Sequence, residues 1–277
     1  MRIEITARKK WQLLDMRDFR ELVQYKDLLY MLVLRDVSVL YKQTVLGFAW
    51  AIIKPLFQMI VFTLVFGHLA GMQHDLGSMP YALFSFTALV PWTYFATAMT
   101  ASTGSLVANT QFLTKVYFPR LIIPLVPVIS KLVDFSIAFV MLLAMMAWYH
   151  VMPGNNVVYL PILILLMMVI SFGIGLWLSA MAIQYRDIQQ LMQFLVQLLM
   201  YAAPVIWPMT YLAKHQVLRS VLAFYPMVGV VEGFRACLLG GPMPWDLIGM
   251  GSISAFVILV TGLAYFRAKE DFFADVA

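Results

Sequence analysis

Chemistry that makes and breaks bonds needs nucleophiles, metal ligands or phosphate cradles at set spacings, and this sequence supplies none of those arrangements. No Gly is followed by Lys, so there is no G-x-x-x-x-G-K-[ST] loop to hold the phosphates of a nucleotide. The histidines His68, His74, His150 and His215 form no H-E-x-x-H or H-x-x-x-H pair that would put two metal ligands on one helical face. They read as polar residues at span ends and loops. There is no G-x-S-x-G elbow for a nucleophilic serine. Cys237 is the single cysteine, so no intrachain disulfide can form, and it reads as a buried structural thiol. What remains is electrostatic. Lys54, Lys131, Asp134, Glu232 and Arg235 fall inside or beside apolar runs, where a charge is expensive and marks function by default. Lys54 precedes Pro55, which is expected to kink its helix; it either snorkels to the inner face or stands at a channel entrance. Lys131 and Asp134, three apart, share a helix face and are expected to neutralise each other at the inner end of the third span.

The elements that carry these charges are set by composition. Of 277 residues, 62% are hydrophobic and 12% charged, against roughly 25% charged in a soluble domain. Apolar runs long enough for a bilayer core occur at about 45–70, 82–107, 121–149, 157–183, 188–206 and 247–266. The expected fold is all-α and integral to the membrane, one transmembrane domain over 1–277 with six spans. Nine of the 19 Lys and Arg lie between Arg2 and Lys42, whereas Gly71 to Pro80 has none. By the positive-inside rule both termini are then cytoplasmic. The net charge of +5 fits loops facing anionic lipid better than a nucleic-acid partner, and none is expected. Residues 1–42 lack the apolar core and cleavage site of a secretory leader, so nothing is expected to be removed.

Residues 1–44 form the cytoplasmic N-terminus. Within it Leu22, Leu29, Val33, Val37 and Leu40 lie opposite Gln24, Asp27, Arg35, Ser38 and Lys42, which predicts an amphipathic helix in the inner interface or packed on cytoplasmic partners. Lys26 and Asp36 interrupt its apolar face. Residues 207–246 carry Lys214, Arg219 and Arg235 on the predicted outer side, against the charge rule, although long loops obey that rule less strictly. Inside that region Val221 to Leu239 is apolar but contains Pro226, Gly229, Glu232, Gly233 and Arg235. A re-entrant hairpin suits it better than a seventh span, because broken backbone at membrane depth survives only against protein or water. Ser171, Gly175 and Ser179, four apart, predict a close helix contact.

Several segments, in order along nearly the whole chain, resemble polysaccharide-exporting ABC transporter permeases of the type-2 exporter superfamily. They are Leu34-Arg35-Asp36, Tyr41 to Gly47, Trp50 with Lys54-Pro55-Leu56, Lys115 to Arg120, Gln184 to Ile188, Pro204 to Pro208, Pro226 and Glu232 to Arg235. The resemblance implies a homodimer of six-span subunits in the bacterial cytoplasmic (inner) membrane, joined to two ATP-binding cassette subunits. It would export O-antigen, capsular or teichoic acid polymer linked to polyprenyl pyrophosphate or another lipid. No cofactor is then expected on this chain; ATP and Mg would bind the partner subunits. Lys54, Trp207 and Tyr225 depart from residues common in the family, which leaves the particular polymer open.

On that reading force enters through rigid cytoplasmic elements. Phe118 and Tyr185 would plug apolar notches on the ATPase, and Arg120, Arg186 and Asp187 would fix orientation by ion pairing. A hydrated polymer needs a wet path between protomers, for which Trp50, Phe57, Phe84, Trp92 and Tyr201 are the candidate lining. The hairpin would close the outer mouth, with Pro226 permitting the break and Glu232 pairing with Arg235 within it or across the dimer. The rival reading is a membrane enzyme acting on polyprenyl-linked sugars. It would want a carboxylate pair at one membrane face, whereas Asp134 and Glu232 are predicted near opposite faces.

Overall fold

The structure is a computed structural model that describes residues 23–42, 49–110, 118–212, 215–270 and 273. Among these residues the ordered backbone is helical and there is no strand. Helix α1 (Lys26–Lys42) precedes α2 (Ala49–Phe62), which runs on as a π-helical turn, Thr63–Leu69. A short helix α3 (Met72–Asp75) leads to α4 (Tyr81–Ala108), α5 (Ile122–Trp148) and α6 (Leu160–Ala182). Then come α7 (Asp187–Ala202), α8 (Gln216–Ala223), α9 (Pro226–Leu238) and α10 (Trp245–Glu270).

The apolar sequence of α4 has no polar face, so it is buried almost all round and forms the axis of the bundle. Its hydroxyl side chains would be costly there, and they fold back onto their own helix. Thr87 donates to the Leu83 carbonyl at 2.8 Å and Thr103 to that of Met99 at 2.9 Å. Ser102 and Tyr94 reach outward instead, donating to the carbonyls of Pro124 at 2.8 Å and Val128 at 2.7 Å, and so lock α5 against the axis. Helix α6 packs between α4 and α10 through small residues. A Cβ on Gly175 would lie 2.2 Å from Ser102 Oγ, and one on Gly262 only 2.6 Å from the Gly173 carbonyl oxygen. Ser171 and Ser179 are fully buried, so the predicted small-residue contact is where two helices meet most closely.

Five of the helices are long and apolar enough to cross a membrane, and the bent pair α8 and α9 would make a sixth. The predicted fifth span is a helix of only 16 residues, rising about 24 Å against a hydrocarbon core of about 30 Å. It nevertheless crosses the depth that α4 crosses. Near its start a Cβ on Gly104 would lie 3.7 Å from Gln189 Nε2, and beyond its end the Tyr81 hydroxyl donates to the Ile206 carbonyl at 2.7 Å. Irregular backbone at 203–206 makes up the difference, and it is buried throughout.

The hairpin is present in altered form: α8 and α9 meet at 99°. The break falls at Phe224 and Tyr225, with Pro226 opening α9, where a residue without N–H costs nothing. Gly229 lies inside α9 and lets the helix approach the Leu247 backbone, whose oxygen would be 2.8 Å from an added Cβ. Pro55 is likewise inside an unbroken stretch of α2; the change of helical type comes later, at Thr63. The Lys131–Asp134 pair forms at 3.3 Å. It sits in the first half of the 27-residue α5, next to Ser130, which meets Asp36 of the amphipathic helix α1.

Two glycines of α10 separate packing from propensity. Gly262→Ala drives a methyl group into backbone and is expected to cost about 1–3 kcal/mol. Gly249→Ala meets open space and is expected to be neutral or to stabilise by about 0.5 kcal/mol. Thermal melting of the detergent-purified protein checks both; equal melting temperatures for the two variants would contradict the packing described.

Candidate functional site

One end of the bundle gathers the elements predicted to be cytoplasmic. Tyr25, just before α1, and Leu28, Leu29, Leu32 and Val33 of α1 pack on a cluster that includes Leu106, Phe118, Ile122, Leu176 and Phe266. The apolar face of α1 therefore lies on the chain's own helices. Polar bonds fix its register: Arg35 donates to Asn109 Oδ1 at 2.9 Å, and Ser130 donates to the Asp36 carboxylate. Asp36 interrupted the apolar face in sequence because that face meets a hydroxyl on α5.

The five residues expected to engage an ATPase divide. Phe118 is 7% exposed inside the cluster, and the Arg120 guanidinium donates to the Glu270 carbonyl at the end of α10. Both hold this chain together, which corrects the expectation that they project from it. Tyr185, Arg186 and Asp187 form the exposed turn between α6 and α7, with Ile188 buried beneath them. Lys115 to Tyr117 lie outside the described residues, as does Lys214.

The five candidate lining aromatics divide as well. Phe84 and Trp92, at 7% and 2% exposure, are sealed inside the protomer and reach no path between two protomers in this conformation. Their helix is the bundle axis, which hydropathy alone did not reveal. Phe57 and Tyr201 are 66% and 59% exposed, and Trp50 is also exposed. Trp50, Lys54, Phe57 and Gln58 line an open groove of about 520 Å³ along α2 with Ile53, Val61 and Phe62. Lys54 Nζ lies 5.6 Å from the centroid of the Trp50 ring. Gln58 carries the groove toward α7, its Nε2 donating to Met200 Sδ at 3.6 Å.

The opposite end is held by a buried node. Arg235 donates to Glu232 at 2.7 Å and to the Val205 carbonyl at 3.0 Å, with its guanidinium 3.6 Å from the Phe84 ring centroid. Glu232 and Arg235 thus pair within one helix turn, and that pair also clamps the irregular stretch after α7. The Trp207 indole donates to the Tyr201 carbonyl at 3.2 Å. Sequence reasoning found the charges but missed Tyr81 and the carbonyls of 205 and 206, since an acceptor on the backbone leaves no trace in residue type. Outside the spans Arg219 pairs with Asp246 at 2.5 Å. Tyr211 donates to Asp75, and that hydrogen bond to a carboxylate holds the phenol above its usual range. Among the described residues no three His, Cys, Asp or Glu side chains are grouped to hold a metal ion.

A bundle of long apolar helices, a bent helix pair and an amphipathic helix folded against one end define a multi-pass membrane protein. The family model described as ABC-2 type transporter matches residues 27–239, and the chain belongs to that family. It is 28% identical over 258 residues to the O-antigen export system permease protein RfbA of Myxococcus xanthus, covering 92% of this chain and 97% of that protein. A Klebsiella pneumoniae protein of the same name is 26% identical, covering 90% and 95%. The polysialic acid transport protein KpsM of Escherichia coli is 24% identical, covering 87% and 92%.

Removing the cation of the buried node leaves a carboxylate and a carbonyl without partners. Arg235→Ala is expected to destabilise by about 3–5 kcal/mol, read as a lower melting temperature and reduced membrane abundance. Adding Glu232→Ala should recover part of the loss, because the orphaned charge goes with it. A single variant as stable as the wild type would mean that the node does not hold the hairpin.

Proposed function

We propose that this chain is the membrane subunit of an ATP-driven exporter of lipid-linked polysaccharide, O-antigen or a related surface polymer. It would work as a homodimer with two ATP-binding cassette subunits in the bacterial cytoplasmic (inner) membrane. The observation that carries the reading is the match over nine-tenths of the chain to permeases named for O-antigen export. No cofactor is needed on this chain; ATP and Mg act on the partner. Both termini are cytoplasmic in this reading. The Lys and Arg concentration before α2 supports it, and Arg235, which counted against it, is folded into the protein rather than displayed in a loop.

Among the described residues the exposed turn Tyr185 to Asp187 is the element placed to receive the ATPase, and α1 lies at the same end of the bundle. The rival enzymatic reading wants a pair of carboxylates free to move protons. Asp134 and Glu232 are instead bonded to Lys131 and Arg235 on different helices.

Deleting the gene should abolish surface polymer while lipid-linked polymer accumulates inside, and the purified chain should bring down a nucleotide-binding subunit. Capture of no ATPase under mild detergent would refute the assignment. Arg186→Glu places the wrong charge at the docking turn and is expected to lower export about tenfold or more, with normal insertion of the permease. Wild-type export and wild-type stimulation of the ATPase in that variant would remove the turn from the coupling path.

A further inference from the structure

Helix α7 shows its surroundings a polar row beside the exposed apolar side chains of Leu191, Phe194 and Leu198. Its packed face is Ile188 and Met192, supported by Leu195 and Leu199. On the far side Gln190, Gln193, Gln197 and Tyr201 are all exposed. At 100° per residue these four positions fall within an arc of about 80°, one rung per helical turn along the full length of the helix. No charge interrupts the row between Asp187 and Tyr201.

Three surroundings are available to such a face. Hydrocarbon is excluded by cost, since an amide without a partner there is worth several kcal/mol against the fold. The large hydrophobic side chains exposed on other spans include Ile162 and Leu165 on α6 and Ile253, Phe256 and Val257 on α10, and α7 has its own apolar strip in Leu191, Phe194 and Leu198 beside the glutamines. A second copy of the same helix is disfavoured by size. The closest glycine contacts between helices of this chain are Gly173 with Gly262, Gly175 against Ser102 and Gly229 against Leu247, and α7 has no glycine or serine to offer such a contact. The α7 row is three glutamines and a tyrosine. The remaining surroundings are a water-filled path and what moves through it.

We infer that Gln190, Gln193 and Gln197 form a carboxamide track that hydrogen-bonds the hydroxyl groups of an uncharged sugar polymer, with Tyr201 as an aromatic platform at its far end. This rests on the transport reading above. Each carboxamide offers two donors and one acceptor, and a sugar hydroxyl is both donor and acceptor, so any rung can serve any ring. A rung recurs about every 5.4 Å, on the scale of a single sugar ring, so contacts can be exchanged one at a time as the chain advances. Bonds of this kind contribute only about 0.5–1.5 kcal/mol each, which holds the polymer without trapping it. The track continues onto α2, where Gln58 joins Met200 to the groove of Trp50 and Phe57.

The test uses the intact transporter in cells lacking the native permease. The triple variant Gln190→Leu, Gln193→Leu, Gln197→Leu is expected to insert, dimerise and capture its ATPase, yet export about tenfold less polymer. The matching triple with Asn, which keeps the amides, should retain most export. In a Cys237→Ser background Gln193→Cys should react with a membrane-impermeant thiol reagent, more slowly while polymer is passing. Wild-type export by the leucine triple would overturn the track, as would loss of the dimer in it. So would a Gln193→Cys that resists the reagent, or that forms a disulfide between protomers. The cysteine arm decides even if the leucine triple fails to fold. A wild-type chain that exports no polysaccharide would instead overturn the transport reading itself.

Discussion

A helix that stops within a membrane leaves up to four carbonyls without partners, and hydrocarbon supplies no water to satisfy them. That constraint falls on α7, which ends at Ala202 while the chain must continue through 203–206 at the depth of the other spans. The remedy is a set of side-chain donors from elsewhere. Trp207 serves the carbonyl of Tyr201, Arg235 that of Val205 and Tyr81 that of Ile206. Arg235 can be buried only because Glu232 accepts from it and the face of Phe84 receives its flat surface. The short α7, the break before Pro226 and the close approach of α9 to α10 at Gly229 are parts of one solution.

The same solution sorts the molecule into a rigid part and a lightly held one. Helices α4, α5, α6, α9 and α10 share buried faces, small-residue contacts and side chain to backbone bonds. Of the 16 residues of α7, only Ile188 and Met192 are buried. Helix α2 is similar, with Pro55 and Phe62 as its buried residues. The two lightly held helices also carry the exposed groove and the row of glutamines. Surfaces of that kind need something to cover them, and in the proposed transporter that is the partner protomer and the polymer.

Hydropathy made most of the architecture legible, because a bilayer demands long apolar runs and polar turns. Five predicted spans fall within a few residues of α2 with its π turn, α4, α5, α6 and α10. Although Gly229 and Gly233 lie inside α9 and not at the break, the bent pair was legible from its proline and its two charges. The facing of the spans was not. Phe84 and Trp92 look like Phe57 and Trp50 in sequence, but α4 is apolar all round and sits at the axis, so its aromatics are buried where those of α2 are exposed. Phe118 and Arg120 were expected to reach a partner, yet they bond within the chain, since a residue type does not say which surface it meets. Asp36 was the one misplaced charge that pointed to its own explanation, a carboxylate on a packing face that meets Ser130.

This division of rigid and loose parts bears on how force would reach the path. Under the proposed coupling the ATPase pushes on the turn Tyr185 to Asp187, which is joined directly to the first turn of α7. Arg120, just before α5, bonded to Glu270 at the end of α10, and Ser130 of α5 bonded to Asp36 of α1, tie these three helices into one block. A push shared by the block would move the whole subunit and do little work on the path. A push at the turn instead acts on a lightly buried helix, while the carbonyl clamps of Trp207, Arg235 and Tyr81 hold its far end. Rotation or tilt of α7 about that clamped end would swing its glutamine row relative to α2, and a lightly packed helix anchored at one end is the geometry in which a small displacement at the ATPase becomes a displacement along the polymer.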